Sequence, residues 1–249
     1  MSDGMNDFSF GSGFQFSGAT IDNLTASEYT LVTVALDESG SISGKESEIR
    51  DMLVAAIGAC FSSPYANNLL ARVVRFGSQY RQNKGIDEIH GFKTLAEIDL
   101  AAYPQLRGGG GTPLCDAVYT GVGAMNTYAK DLADMDFAVN GITFVITDGG
   151  DNTSTATMNM VKEELKRSVT GEVMESHVSV LIGIDTGYGG VQADLQKFQT
   201  EAGMDQFIWA GAATKGNLAK LAAFVSQSIS STSQALGTGG PSQNISATI

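Results

Sequence analysis

Five oxygen-bearing residues in three separate motifs could bind a metal ion together. They are Asp37, Ser39 and Ser41 in the run Asp37-Glu38-Ser39-Gly40-Ser41, Thr112 in Gly111-Thr112-Pro113, and Asp148 in Thr147-Asp148-Gly149. Hydroxyls and carboxylates, with no thiolate or imidazole among them, suit a hard divalent cation, magnesium or manganese, better than zinc or copper. Each motif alone is also ordinary turn and N-cap chemistry. The conjunction points to a site. Asp37 follows the apolar run 31–36, Asp148 follows the run 142–147, and Thr112 opens a helical stretch after Gly108 to Gly111. Those are the places where an α/β sheet presents ligand-binding groups at the carboxyl ends of its strands.

The elements that must position these residues alternate strand and helix. Residues 29–36, 71–76, 141–147, 177–183 and 206–209 are short apolar runs of the kind buried in a parallel sheet. Helical spacing of apolar residues marks 45–60, 113–134, 157–168, 192–202 and 217–228. Pro113 suits a first helical position, which would make Thr112 both cap and ligand. The order predicts an α/β sheet covered on both sides. Residues 1–26, rich in Gly, Ser, Asn and Phe, read as a flexible arm, 27–231 as the domain, and 232–249 as a flexible Ser/Thr/Gly tail. The even spacing of Phe8, Phe10, Phe14 and Phe16 leaves open an extended segment that docks on the domain or on a partner.

The three motifs, in this order, resemble the metal-ion-dependent adhesion site (MIDAS) of von Willebrand factor A (vWA) domains, over residues 29–231. The resemblance implies a three-layer, Rossmann-like fold: a mostly parallel central sheet with one antiparallel edge strand, here 85–92, and helices on both faces. It also implies that Ser39, Ser41 and Thr112 ligate Mg2+ (or Mn2+) directly, while Asp37 and Asp148 act largely through bound water. One coordination position is then left for an Asp or Glu carboxylate of a partner protein. Neutral hydroxyl ligands leave the cation's charge poorly compensated and so attractive to that carboxylate. Residues 207–230 loosely resemble the ending of compact bacterial vWA proteins of the tellurium-resistance type, and similar stand-alone vWA domains are encoded by bacteriophages. The function implied is a non-enzymatic, metal-dependent interaction module. The alternative is a structural component of a larger assembly, a virion or a stress complex, whose metal stiffens the loops; a metal-dependent hydrolase ranks last.

Composition narrows the partners. The chain has 249 residues, 43% hydrophobic and 17% charged, with a net charge of -12 and no basic stripe, so it would repel a phosphate backbone. No segment is long and apolar enough to span a membrane, and no signal-peptide pattern opens the chain. Two cysteines, Cys60 and Cys115, in helix-like settings fit core thiols in a reducing compartment. The expectation is a cytoplasmic protein, virion-associated if phage-encoded; oligomeric state is not legible.

The remaining chemistry-bearing residues have competing readings. A haloacid-dehalogenase-type phosphoryl transfer needs an aspartate where Ser39 stands. Ser39 and Ser41 lack the Gly-x-Ser-x-Gly frame of a nucleophile elbow, for which His90 and His177 are the available imidazoles. No Gly-Lys-Ser/Thr follows Gly108 to Gly111, whose glycines suit a tight loop that lets Thr112 approach an ion and shifts when ligand binds. Asp151 and Asn152 could hold metal-bound water or simply form a turn. Glu38 could tune the rim or cap a helix. Asp116 suits the helix dipole, and Asp185 a loop.

Overall fold

The computed structural model describes residues 4–11, 13–170, 173–187 and 189–238. At its centre, β3 (Glu28–Asp37) alternates its side chains between two cores. Val32, Val34 and Leu36 enter one, and Tyr29, Leu31 and Ala35 the other, as the two-residue period of a strand buried on both faces requires. β4 (Leu69–Phe76) and β6 (Ala138–Thr147) flank β3 in parallel, and β7 (Ser176–Asp185) and β8 (Gln206–Ala212) extend the β6 side, also in parallel. On the other side β5 (Ile86–Thr94) runs antiparallel to β4. Helices α1 (Glu46–Cys60) and α5 (Lys215–Thr238) contribute to the first core; α2 (Leu114–Ala133), α3 (Met158–Thr170) and α4 (Val191–Ala202) contribute to the second. This is the expected three-layer α/β sandwich with a mostly parallel sheet. Cys60 and Cys115 are free thiols in different cores.

The amino-terminal stretch departs from the flexible arm expected of residues 1–26. It forms a hairpin, β1 (Met5–Phe10) and β2 (Phe14–Ala19), and β2 runs parallel beside β5, so the sheet order is β1-β2-β5-β4-β3-β6-β7-β8. The register pairs Phe8 with Phe16 and Phe10 with Phe14, which puts all four rings on one face. That face docks on this domain. Phe8 stacks on Phe16 at 5.2 Å, Phe16 meets Phe92 of β5 edge-on, and Phe10 lies against Tyr119 of α2. Gly123 makes room in α2: a Cβ there would fall 2.1 Å from the Phe10 ring. Polar pins complete the seat. Arg72, fully buried, donates to Glu88 at 2.7 Å and lies over the Phe14 and Phe16 rings; Glu88 in turn accepts from the backbone N–H and hydroxyl of Ser17. Composition hid the hairpin because its large buried side chains are three phenylalanines, Phe10, Phe14 and Phe16, each of which buries enough area to contribute about 1.5–3 kcal/mol.

At the other end α5 continues past Ser231 to Thr238, where a flexible tail over 232–249 was expected. Thr232 and Ser233 are buried, and Asn140 Nδ2 donates to the Thr232 carbonyl. Small hydroxyl residues can face a sheet as easily as solvent, and helical hydrogen bonding continues until a breaker stops it. The rest of that tail, 239–249, lies outside the described residues, as do residues 1–3 and 12 of the arm. Among the described residues no helix is long and apolar enough to cross a membrane.

Candidate functional site

The sheet order creates the crevice in which the motifs meet. From β3 the chain winds outward through β4 and β5, then crosses to β6 on the opposite side of β3. Loops leaving β3 and β6 therefore diverge at their carboxyl ends, the usual ligand position in such sheets. Leu36 lies opposite Ile146, which makes Asp37 and Thr147 neighbours. Thr147 Oγ1 donates to Asp37 Oδ2 at 2.5 Å, and the Ser39 N–H to Asp37 Oδ1 at 2.7 Å. Ser41 Oγ lies 3.0 Å from Ser39 Oγ and donates to Asp148 Oδ1 at 2.5 Å. Thr112 joins from the glycine loop: a Cβ added to Gly149 would sit 3.4 Å from Thr112 Oγ1 and 3.7 Å from Ser41 Oγ. Asp37, Ser39, Ser41, Thr112 and Asp148 are thus brought to one place from three loops.

The glycine loop is held on both sides. Its Gly110 carbonyl accepts from the Gly40 N–H at 3.0 Å, and its Gly109 N–H donates to the Glu38 carbonyl at 3.1 Å. Gly110 has a φ of 70°, and a Cβ on it would meet Ser78 Oγ at 2.5 Å, so both conformation and space demand glycine there. The loop after β6 holds the other flank. Asn152 Oδ1 accepts from the Thr112 N–H at 2.8 Å, Asp151 Oδ1 from the Cys115 N–H and Ser154 Oγ from the Asp116 N–H. These residues cap α2, and Asp151 and Asn152 form a turn that secures Thr112. This also corrects the expectation that Thr112 itself is the cap: Pro113 occupies that position and no side chain of its own caps the helix.

Burial pushes the Asp37 carboxyl up to about 7, against the hydrogen bonds from Thr147 and Ser39, and the nearby Asp148 carboxylate adds to the rise. Burial also raises Asp148, opposed by hydrogen bonds from Ser41 and Thr186. Among the described residues neither carboxylate forms an ion pair. Two buried acids ringed by hydroxyls and lacking a basic partner make a strong local demand for a cation. No three His, Cys, Asp or Glu side chains gather into a metal cluster among the described residues, so an ion here would rely on hydroxyl oxygens. That oxygen-only donor set fits a hard divalent cation.

Two participants escaped the sequence reading. Thr186, just beyond β7, donates to Asp148 Oδ2 at 2.6 Å and orients that carboxylate; a lone threonine in a loop carries no sequence signal of such a role. Glu38 is neither rim nor helix cap. It is fully buried, paired with Arg75 at 3.2 Å, and accepts from the Tyr80 hydroxyl at 2.5 Å and from the Arg107 N–H. It therefore ties β4, the loop after it and the approach to the glycine loop to the Asp37 turn. Asp116 accepts from Thr155 and Ala156 backbone N–H groups, and Asp185 from Gly187, so both shape loops. The histidines are engaged elsewhere: His90 with Tyr103 and Gly91, His177 with Thr143, and burial lowers each to about 4.

No protein-family model matches the chain, and no curated protein matches its sequence. Solved structures do resemble it. The pilus adhesin SpaC of Lactobacillus rhamnosus GG, in its open conformation, superposes with a TM-score of 0.61 at 10% identity, covering 91% of this chain and 34% of that one. A von Willebrand factor type A protein from Catenulispora acidiphila gives 0.52 at 15% identity, over 94% and 51%. Proximal thread matrix protein 1 from the mussel byssus, with zinc in its MIDAS motif, gives 0.53 at 18% identity, over 81% and 48%. The chain spans about a third to a half of the length of these proteins. Its fold is that of the vWA domain.

Proposed function

We propose that this chain is a divalent-metal-dependent protein-interaction module that captures an acidic group of its partner at the crevice between β3 and β6. The observation that carries the reading is the convergence of Asp37, Ser39, Ser41, Thr112 and Asp148 around two buried carboxylates that form no ion pair with any described residue. Ser39, Ser41 and Thr112 would offer neutral oxygens to the ion, and Asp37 and Asp148 would hold its water. When bound, the ion supplies an electrophilic centre with a position open to a partner's Asp or Glu. The oxygen donors favour magnesium or manganese; the zinc in the mussel protein's site makes zinc the competitor to test.

Ser39 hydrogen-bonds to Ser41 and Ser41 donates to Asp148, while His90 is engaged with Tyr103 and His177 with Thr143, which supports binding over hydrolysis. The test is affinity capture from the native lysate in magnesium and in EDTA, alongside Thr112→Ala, with calorimetric titration of magnesium, manganese and zinc. Partners retained by wild type in magnesium alone establish the site. The same partners in all three samples demote the ion to scaffolding.

A further inference from the structure

Between the sheet and α2 lies a group of donor atoms that the crevice does not use. Gly141 sits inside β6, where a glycine weakens a strand and marks the close approach of other atoms. A Cβ built on it would lie 2.6 Å from Met125 Sδ, 2.8 Å from Met174 Sδ and 3.1 Å from Cδ2 of the His177 ring. Two thioethers and the edge of one imidazole therefore crowd a single point. Hydrogen-bond geometry brings two of these groups together independently: Thr143 Oγ1 lies 3.0 Å from His177 Nε2 and 3.9 Å from Met125 Sδ. Gly141 pairs with His177 across β6 and β7, Thr143 is the next residue on that face of β6, Met125 comes from α2, and Met174 from the segment before β7. Met125, Met174 and His177 are 0%, 4% and 8% exposed, so the imidazole and one sulfur give the buried group its route to solvent.

These donors call for a different ion from the oxygens of the crevice. Thioether sulfur is soft and selects Cu(I), and imidazole suits copper as well. All three groups are neutral at neutral pH, because burial lowers His177 to about 4. A monovalent ion is then the cation whose charge costs least to bury. Asp205, just before β8, offers partial compensation: its Oδ2 accepts from the Ser179 N–H at 2.7 Å and the Ser179 hydroxyl at 2.6 Å, and its charge acts on the His177 ring. We infer that Met125, Met174 and His177 form a binding site for a soft monovalent cation of the Cu(I) class, separate from the crevice. His177 Nε2 takes the ion in place of the Thr143 hydroxyl, and the rotatable methionine chains let both sulfurs turn to it without moving the backbone. Gly141 and Thr147 lie at opposite ends of one strand, about 20 Å apart at the rise of a β-strand, so the inference does not rest on the reading of the crevice.

The test uses silver(I), a soft monovalent probe that stays in one oxidation state. Silver nitrate is titrated in chloride-free buffer into the full chain, isotope-labelled at its methionine methyls and histidine rings. The titration runs to an excess over the two free cysteines and this site together. In wild type the Met125 and Met174 methyl resonances and the His177 ring resonances are expected to shift together and saturate. The Met125→Leu/Met174→Leu variant keeps the apolar volume and should lose the His177 shift. Methyl resonances of Met125 and Met174 that stay in place throughout, or a His177 shift that survives the double variant, overturn the site and leave the three side chains as core packing. Should the double variant fail to fold, Met174→Leu alone removes one sulfur at the edge of the group. Silver affinity read at the Met125 methyl should then fall by about tenfold or more, the loss that even an outer partner of a metal site causes; an unchanged affinity overturns the site.

Discussion

Replacing Asp37 with asparagine should make the metal-free protein more stable at neutral to alkaline pH and at the same time abolish its response to magnesium. Asp37 is 1% exposed, and burial raises its carboxyl from the ordinary 3.8 to about 7. Protonation is therefore favoured in the folded state. Below the unfolded value both states hold the proton and folding is not penalised. The penalty grows as pH rises from 3.8 toward 7 and is complete above that, at about 4 kcal/mol. Asparagine removes the charge and keeps an oxygen for the Ser39 N–H, but Thr147 must rotate to accept from the new amide, a loss of about 1 kcal/mol. The net gain expected for Asp37→Asn in EDTA is about 2–3 kcal/mol, read by urea unfolding at pH 8 and shrinking toward pH 4. Magnesium at a hundredfold excess over its dissociation constant should stabilise wild type by about 2.7 kcal/mol and the variant hardly at all. A variant less stable than wild type in EDTA at pH 8, or equal stabilisation of both by magnesium, would refute this account of the crevice.

Glu38→Gln should cost about 3 kcal/mol in urea unfolding, because it breaks the buried pair with Arg75 and weakens the contacts from Tyr80 and Arg107; a loss under 1 kcal/mol would show that the clamp is slack. Phe14→Ala should cost about 3–5 kcal/mol and open the hairpin to limited proteolysis, since Phe14 is buried against Arg72 and Phe16; unchanged cleavage kinetics would contradict its role as the anchor. Burial pushes the Cys60 and Cys115 thiols up to about 12, so at pH 8 both should resist a thiol reagent in the native protein and react at once in denaturant; fast native labelling would count against their burial.

The candidate site was legible early because its signal is local. Asp37, Ser39 and Ser41 share one loop, Thr112 and Asp148 each follow a recognisable apolar run or glycine stretch, and α/β topology sends all such loops to one edge. The helices and inner strands were legible for the same reason: burial on both faces of a sheet writes near-continuous apolar runs, and amphipathic helices write a repeat of 3.6. The hairpin was not, because its stability comes from partners far along the chain, Phe92, Arg72, Glu88 and the space left by Gly123. A window of sequence sees a glycine-rich segment with scattered phenylalanines and has no measure of the groove that receives them.

Sequence by itself determined which atoms could face an ion and on which kind of loop they sit, since residue type and position relative to a strand end are local properties. Tertiary structure alone decided how those atoms are held. Thr186 reaches Asp148 from just beyond β7, Asn152 fixes Thr112 from the loop after β6, and Glu38 turns inward to Arg75 and Tyr80 instead of facing the rim. Each of these contacts joins residues more than thirty positions apart, and the direction of a side chain at such a junction depends on what the opposite strand or loop presents, which the sequence around it does not encode.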